Sequence, residues 1–363
     1  MRPTRLAVAG LATDLEPPTQ WQRFPTNSMG KFVRTDSRDQ FLISIRRTGS
    51  DYGVDYITIC FPILKPDLKS AKWERDHKIW PDRAITERGK LDLRGGSQWI
   101  RVFVYERPQA HYGSAEHWCS VSFNPSRFVD PGGILLCDVT DLQVIVNKAL
   151  KLIEEYIPLF PDMGPTDIRV KRLDVASNFY GVDSPTRYLR GLEPVRRPYA
   201  RTKLLYSDQT LQVGSKSGVV RLYDKHAHTP DLALPGTLRF EVEARRGWLL
   251  KNEISSLADV TNETIAKLFF DRAKWFGVER EVMTTRSASE VITFSNLSPT
   301  LKNNLLRYVY LKLRGNDPGV DKKTEARYEA IFADFGICPY LEDVADRSIT
   351  RLDLKSNREV KVA

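Results

Sequence analysis

Three segments near the middle of the chain constrain its fold more than any other feature: KRLDVASNF (171–179), VVRLYDK (219–225) and LRFEVEAR (238–245). Side chains alternate across a β-strand, so each segment is read face by face. Leu173, Val175 and Phe179 lie on one face of the first, with Asp174, Ala176 and Asn178 on the other. Val220 and Leu222 oppose Arg221, Tyr223 and Lys225. Phe240, Val242 and Ala244 oppose Arg239, Glu241, Glu243 and Arg245. One face of all three is apolar and must be sealed by other elements. The other carries three carboxylates, a tyrosine and several cations, a denser set than scattered surface charge provides.

The surrounding sequence supplies the rest of such a sheet. DYITICFP (55–62), WIRVFVY (99–105) and CSVSFNP (119–125) are β-branched or aromatic runs bounded by Pro and Gly. The polar stretch 65–97 between the first two reads as a long surface loop. Residues 140–157 carry apolar side chains at helical spacing, with Thr140 as N-cap and Pro158 as terminator. SPTRYLRGL (184–192) reads as a short helix with Pro185 at its first position. Four further strand runs follow, joined by connections too short for parallel crossovers. The expected class is therefore α+β, with a mostly antiparallel sheet as core and helices on one face. After about residue 255 the pattern turns helical, in segments closed by Gly277, Gly315 and Gly336. The expected organisation is an N-terminal arm (1–50), partly disordered, a sheet domain (51–255) and a helical C-terminal region (256–363).

Composition narrows the function. Of the 363 residues 41% are apolar and 10% aromatic, which excludes disorder for most of the chain. No window approaches 18 apolar residues in succession, so no membrane span is expected. The apolar stretch of MRPTRLAVAGLATDLE is too short for a secretory signal. Cys60, Cys119, Cys137 and Cys338 form no CxxC pair and read as reduced core thiols of a cytoplasmic protein. The net charge of +9 favours a polyanionic partner. Residues 166–250 hold 15 basic and 9 acidic side chains, so most of the surplus lies around the three strands.

The polar face suits transesterification of a phosphodiester. Carboxylate oxygens hold Mg²⁺ or Mn²⁺, which draws charge from a phosphate oxygen, and a tyrosine hydroxyl attacks phosphorus to form a covalent ester. Free tyrosine ionises near pH ~10, so the nucleophile needs neighbouring cations. Lys225 and Arg221, two residues to either side of Tyr223, are placed to supply them.

The segments KRLDVASNF, VGSKSGVVRLYDK and LRFEVEAR resemble those of rolling-circle replication initiators of filamentous phages (the gene II type) and the related replication-initiator and transposon-relaxase family. CSVSFNPSRFVDPGGILLCDVTDLQVIVNKAL is similar to their strand, proline turn and helix, so the resemblance covers roughly residues 55–250. It implies a site-specific, metal-dependent DNA endonuclease and strand transferase of a phage or plasmid, working in a bacterial cytoplasm. Tyr223 is then the nicking nucleophile that retains a 5′-phosphate, assisted by Lys225. Asp174 and Glu241 are the metal ligands, with Glu243 as auxiliary. Where relatives carry a Glu five residues after the tyrosine, this chain has His228, with His226 before it. The pair fits the His-hydrophobic-His ligand pattern of the wider nicking superfamily. Strict alternation puts His228 opposite Tyr223, so the strand must end or bulge near Lys225 if both serve one phosphate. The implied partners are origin DNA, single-stranded or supercoiled, and a host helicase and DNA polymerase. No membrane is involved, and a homo-oligomer is compatible with the resemblance. A conjugative relaxase and a non-cutting DNA-binding regulator are the alternatives.

The remaining basic residues form the expected DNA surface. Arg221, Arg239 and Arg245 belong to the polar face, and Lys216 sits in GSKSG, which reads as a phosphate loop or a hairpin turn. Arg196, Arg197, Arg201 and Lys203 interleave with Tyr199, as in a backbone-contacting strip or a solvated loop. Arg239 to Arg245 also reads as a ladder of cross-strand ion pairs, and Asn178 as structural.

Overall fold

The alternating strands pair into one large sheet. The computed structural model describes residues 52–65, 74–75, 88–95, 98–108 and 115–341, apart from 131, 161, 183, 196, 198, 199 and 279, together with 22–23 and 32–33. β1 (Gln22–Arg23) and β2 (Phe32–Val33) form a small antiparallel ladder in a unit comprising 1–40 and 359–363. The rest of the expected N-terminal arm, Arg196 and the tail from 342 lie outside the described residues.

The sheet has ten strands. In chain order they are β3 (Gly53–Ile63), β4 (Glu74–Arg75), β5 (Arg88–Gly95), β6 (Gln98–Pro108), β7 (Ala115–Phe123), β8 (Arg169–Phe179), β9 (Arg201–Leu205), β10 (Thr210–Ser215), β11 (Gly218–Asp224) and β12 (Leu238–Arg245). Their spatial order is β4-β5-β6-β7-β3-β8-β12-β11-β10-β9. Every neighbouring pair is antiparallel, as expected from the short connections. β5 lies inside the stretch read as a surface loop, and its eight residues pair with β6. That correction has a physical reason: RGKLDLRG is polar and Gly-bounded, and its extension comes from the partner strand rather than from its own propensity.

One face of this sheet is the core. Ile57, Ile59, Val121, Leu173, Val175, Leu222, Phe240 and Val242 are fully buried there. Against them pack α2 (Val139–Glu154), which follows the one-turn α1 (Ser126–Val129), and α3 (Pro185–Leu192). The short α5 (Arg246–Lys251) and the long α6 (Asn262–Phe276) complete the cover. α4 (Lys225–His228) is a single turn that directly follows β11. The N-cap of α2 is Asp138, whose carboxylate accepts from the Thr140 amide; Thr140 itself is already inside the helix. Phe240 meets Phe269 and Phe276 of α6 edge to face, at 5.4 Å between centroids in each case. Truncating a ring so placed costs about 3–5 kcal/mol.

The C-terminal region contains three further helices, α7 (Thr285–Phe294), α8 (Pro299–Leu313) and α9 (Lys322–Asp334). It also contains a parallel pair that its sequence did not announce, β13 (Glu281–Thr284) and β14 (Ile337–Leu341). One continuous apolar core runs from Val54 to Tyr340 and includes Tyr308 of α8 and Phe332 of α9. The four cysteines are free and buried. Among the described residues no helix is long and apolar enough to cross a membrane.

Candidate active site

The other face of β3, β8, β12 and β11 is polar, and register fixes who meets whom. Tyr223 lies opposite Arg239, and Arg239 opposite Asn178. Arg221 faces Glu241, and Glu243 faces Asp174. Two carboxylates directly opposite each other repel, and guanidinium groups resolve the conflict. Arg172 donates to both oxygens of Asp174 and also reaches Glu243, at 3.2 Å. Arg221 bridges Glu241 and Glu243 with one nitrogen each, at 2.8 Å. Arg245 closes the remaining oxygen of Glu243 at 2.7 Å. Burial works to raise the carboxyl of Glu243, but Arg221, Arg172 and Arg245 outweigh it and hold the group below its ordinary range. Asp174 is raised, because burial exceeds what Arg172 returns.

The tyrosine sits at the far end of this network. Its hydroxyl donates to the second oxygen of Glu241 at 3.3 Å. Burial, then the charge of Glu241, raises the phenol above its ordinary value, with Arg239 acting the other way. Glu241 is raised by burial and by the carboxylate of Asp55. Lys225 is pushed down to about 8 by burial and the charge of Arg239, with Asp55 and Glu241 acting against the shift. Tyrosine, Glu241, Lys225, Arg239 and Asp55 therefore share one electrostatic neighbourhood.

Asp55 is the member that strand alternation did not find. Val54 pairs with Val175 and Tyr56 with Asp174, so Asp55 is an extra residue in β3 and forms a bulge. The bulge turns both Asp55 and Tyr56 toward the polar face. Asp55 then reaches Arg239 at 3.4 Å, and Arg172 stacks on the Tyr56 ring at 4.6 Å. The spacing of buried residues, Val54 then Ile57, Ile59 and Phe61, is the signal that a reading by strict alternation passes over.

The histidines divide. β11 ends at Asp224 and the one-turn α4 follows, capped by the Asp224 carboxylate on the Ala227 amide. This turn brings His228 back to the Tyr223 side, with ring centroids 5.2 Å apart and edge to face. Its Nε2 lies 3.1 Å from the Thr210 hydroxyl, and its other neighbour is Tyr206, at 5.7 Å. His226 instead directs Nδ1 to the carbonyl of Ala233, at 2.8 Å.

The expected metal set does not fit a cation as these side chains stand. Both oxygens of Asp174 and of Glu243, and one of Glu241, are taken by guanidinium groups, and the two histidines point to other partners. Among the described residues no group of three or more His, Cys, Asp or Glu side chains is arranged to hold a metal ion.

The expected DNA surface also changes. Arg239 is 1% exposed and spends its guanidinium on Asn178 and on the carbonyls of Gly133 and Ile134. It ties down the loop before α2, and it also donates to Asp55 and to the Tyr223 hydroxyl, so it serves the site as a fixed internal partner rather than as a surface cation. Arg197 is buried too, bonded to the carbonyls of Leu192, Val195 and Phe276, because its carbon stem is drawn into the core beneath α6. Lys216 is exposed in the two-residue turn of the β10–β11 hairpin, which decides GSKSG as a turn. Lys203 is exposed on β9 in register with Gln212, which itself is in register with Arg221. The side chain of Arg201 lies outside the described residues. Asn178 is structural, bridging Arg239 and the carbonyl of Ile134.

No protein-family model matches the chain. No curated protein matches it in sequence. Among solved structures it is similar to a rolling circle replication initiator protein from Geobacillus stearothermophilus, at 14% identity over 82% of this chain and all of that one. The TM-score of that pair is 0.29, too low for the likeness to assign a family or a function.

Proposed function

We propose that this protein cuts and rejoins one strand of DNA at a replication origin through a covalent 5′-phosphotyrosine on Tyr223, in the manner of a rolling-circle initiator. The observation that carries the reading is the hydroxyl of Tyr223 against the carboxylate of Glu241, with Lys225 in the same neighbourhood. Glu241 takes the phenolic proton as Tyr223 Oη forms its bond to phosphorus and the bond to the 3′-oxygen breaks. A raised carboxyl is a better base than an ordinary one. The departing 3′-oxygen takes a proton from Lys225, whose value near 8 suits a proton donor at neutral pH. In the resting protein burial keeps the phenol protonated, so the nucleophile is activated when a phosphate is present to receive it. No step in this scheme runs through a metal ion.

The decisive experiment incubates the protein with a labelled single-stranded origin oligonucleotide and maps any covalent adduct by mass spectrometry. An adduct on Tyr223, lost in Tyr223→Phe while DNA binding is kept, is the expected result. A Tyr223→Phe protein that still nicks a supercoiled origin plasmid overturns the assignment. One observation favours a second reading, a DNA-binding protein that does not cut: Asp174 and Glu243 are saturated by arginine. That reading predicts binding without any adduct.

A further inference from the structure

The polar patch beside Tyr223 is nearly charge-balanced. Asp174, Glu241 and Glu243 are paired with Arg172, Arg221 and Arg245, and Asp55 with Arg239. Such a patch exerts little net pull on a polyanion, so the attraction must come from elsewhere on the sheet. The same face continues along β8 toward its first residue, where Tyr105 and Trp118 are themselves buried. There Arg169 lies over the Trp118 ring at 4.8 Å, Lys171 over Tyr105 at 4.8 Å and Arg172 over Tyr56 at 4.6 Å. A second bulge makes this row possible. Thr58 pairs with Arg172 and Ile59 with Val170, leaving Lys171 as the extra residue, so two cations in succession face outward.

At the end of the row, where β3 ends and β7 and β8 begin, is a cleft of about 580 Å³. This lies within the range of small-molecule and base-sized sites. Its walls include Leu64 and Phe160, exposed at 45% and 41%, and the largely buried Trp118. Lys65 and Arg169 supply positive charge, and the acidic member, Asp167, accepts the backbone amide of Gly164. Exposed apolar walls beside cations suit a ligand that is both aromatic and anionic. A guanidinium already stacked on tryptophan offers its outer face to a base.

We propose that this cleft, together with Arg169 and Lys171, binds bases and phosphates of single-stranded DNA at a distance from the scissile linkage. The proposal rests on reading the Tyr223 face as a DNA site. The register of Tyr223 reaches β8 at Asn178, nine residues from Arg169, or ~30 Å along an extended strand. The cleft therefore fixes which stretch of the strand is presented rather than taking part in the chemistry.

The test uses the full chain carrying Tyr223→Phe, so that no cutting intervenes, with fluorescein-labelled oligothymidylate of 16 nucleotides. Phe160→Ala is expected to weaken binding about tenfold, the loss of one stacked base. Arg169→Gln is expected to lower the salt dependence by one phosphate contact. Iododeoxyuridine in the same oligonucleotide is expected to cross-link to peptides containing Phe160 or Trp118. Affinity within twofold of the parent in both variants, no measurable binding by the parent, or cross-links confined to other peptides overturns the proposal. The adduct experiment fails or succeeds separately: an adduct without cleft binding removes only this inference, and cleft binding without an adduct removes only the nicking reaction.

Discussion

Replacing Arg239 by methionine keeps most of the buried stem and removes the guanidinium. In the folded protein that group makes hydrogen bonds of 2.8, 3.0 and 2.8 Å to Asn178, Gly133 and Ile134, and lies 3.4 Å from Asp55. The variant leaves an amide oxygen, a carbonyl and a carboxylate without their cation; the Ile134 carbonyl keeps the Asn178 amide as donor. Three charged hydrogen bonds taken singly set an upper limit of ~5–9 kcal/mol. Removing one partner of a buried ion pair costs about 3–5 kcal/mol, which is the expected loss, since part of the desolvation of arginine is recovered. Urea denaturation measures the loss directly. Hydrogen exchange adds a local readout, because the amides of Gly132, Ile134 and Leu135 are held by Asp130 in the loop that Arg239 anchors. Their exchange is expected to quicken in the variant. A loss below ~1 kcal/mol with unchanged exchange would refute the argument that this arginine is a structural tether.

Two further outcomes follow from the electrostatics of the site. Lys225 is held at about 8 in the fold against 10.5 when exposed, so between those values the unfolded chain binds more protons and stability rises with pH. Urea midpoints at pH 8 and pH 10 are expected to diverge in favour of the natural chain over Lys225→Met, and parallel changes in the two proteins contradict the assignment. Asp55→Asn removes a charge that helps raise Glu241. If Glu241 is the base, the acid limb of adduct formation moves to lower pH in that variant, and an unmoved limb rules Glu241 out.

The strands around the site were legible because their code is local. KRLDVASNF, VVRLYDK and LRFEVEAR state their two faces residue by residue, and register then brought Tyr223, Glu241, Glu243 and Asp174 onto the same face. What was not legible depends on partners. Asp55 joins the site through a bulge that only the pairing with β8 defines. Arg239 and Arg197 look like surface cations in sequence, because nothing local says that a backbone loop or α6 will close over them. β13 and β14 are four and five residues long and more than fifty apart, too short to declare themselves without each other. His228 was the reverse case. The single turn capped by Asp224 removes the conflict between its position in sequence and its place beside Tyr223.

Two supernumerary residues in one pair of strands, Asp55 and Lys171, make the polar face dependent on chain length as well as on chemistry. Excising either residue restores a regular pleat and leaves what precedes it facing as before. Without Asp55, the residues Val54, Tyr56 and Ile57 would alternate inward, outward and inward, and without Lys171 so would Val170, Arg172 and Leu173, so the buried side chains keep their side of the sheet. Deletions at these two points should therefore spare the core and change only the polar face, whereas excising a paired neighbour such as Thr58 would invert the facing of everything on one side of it.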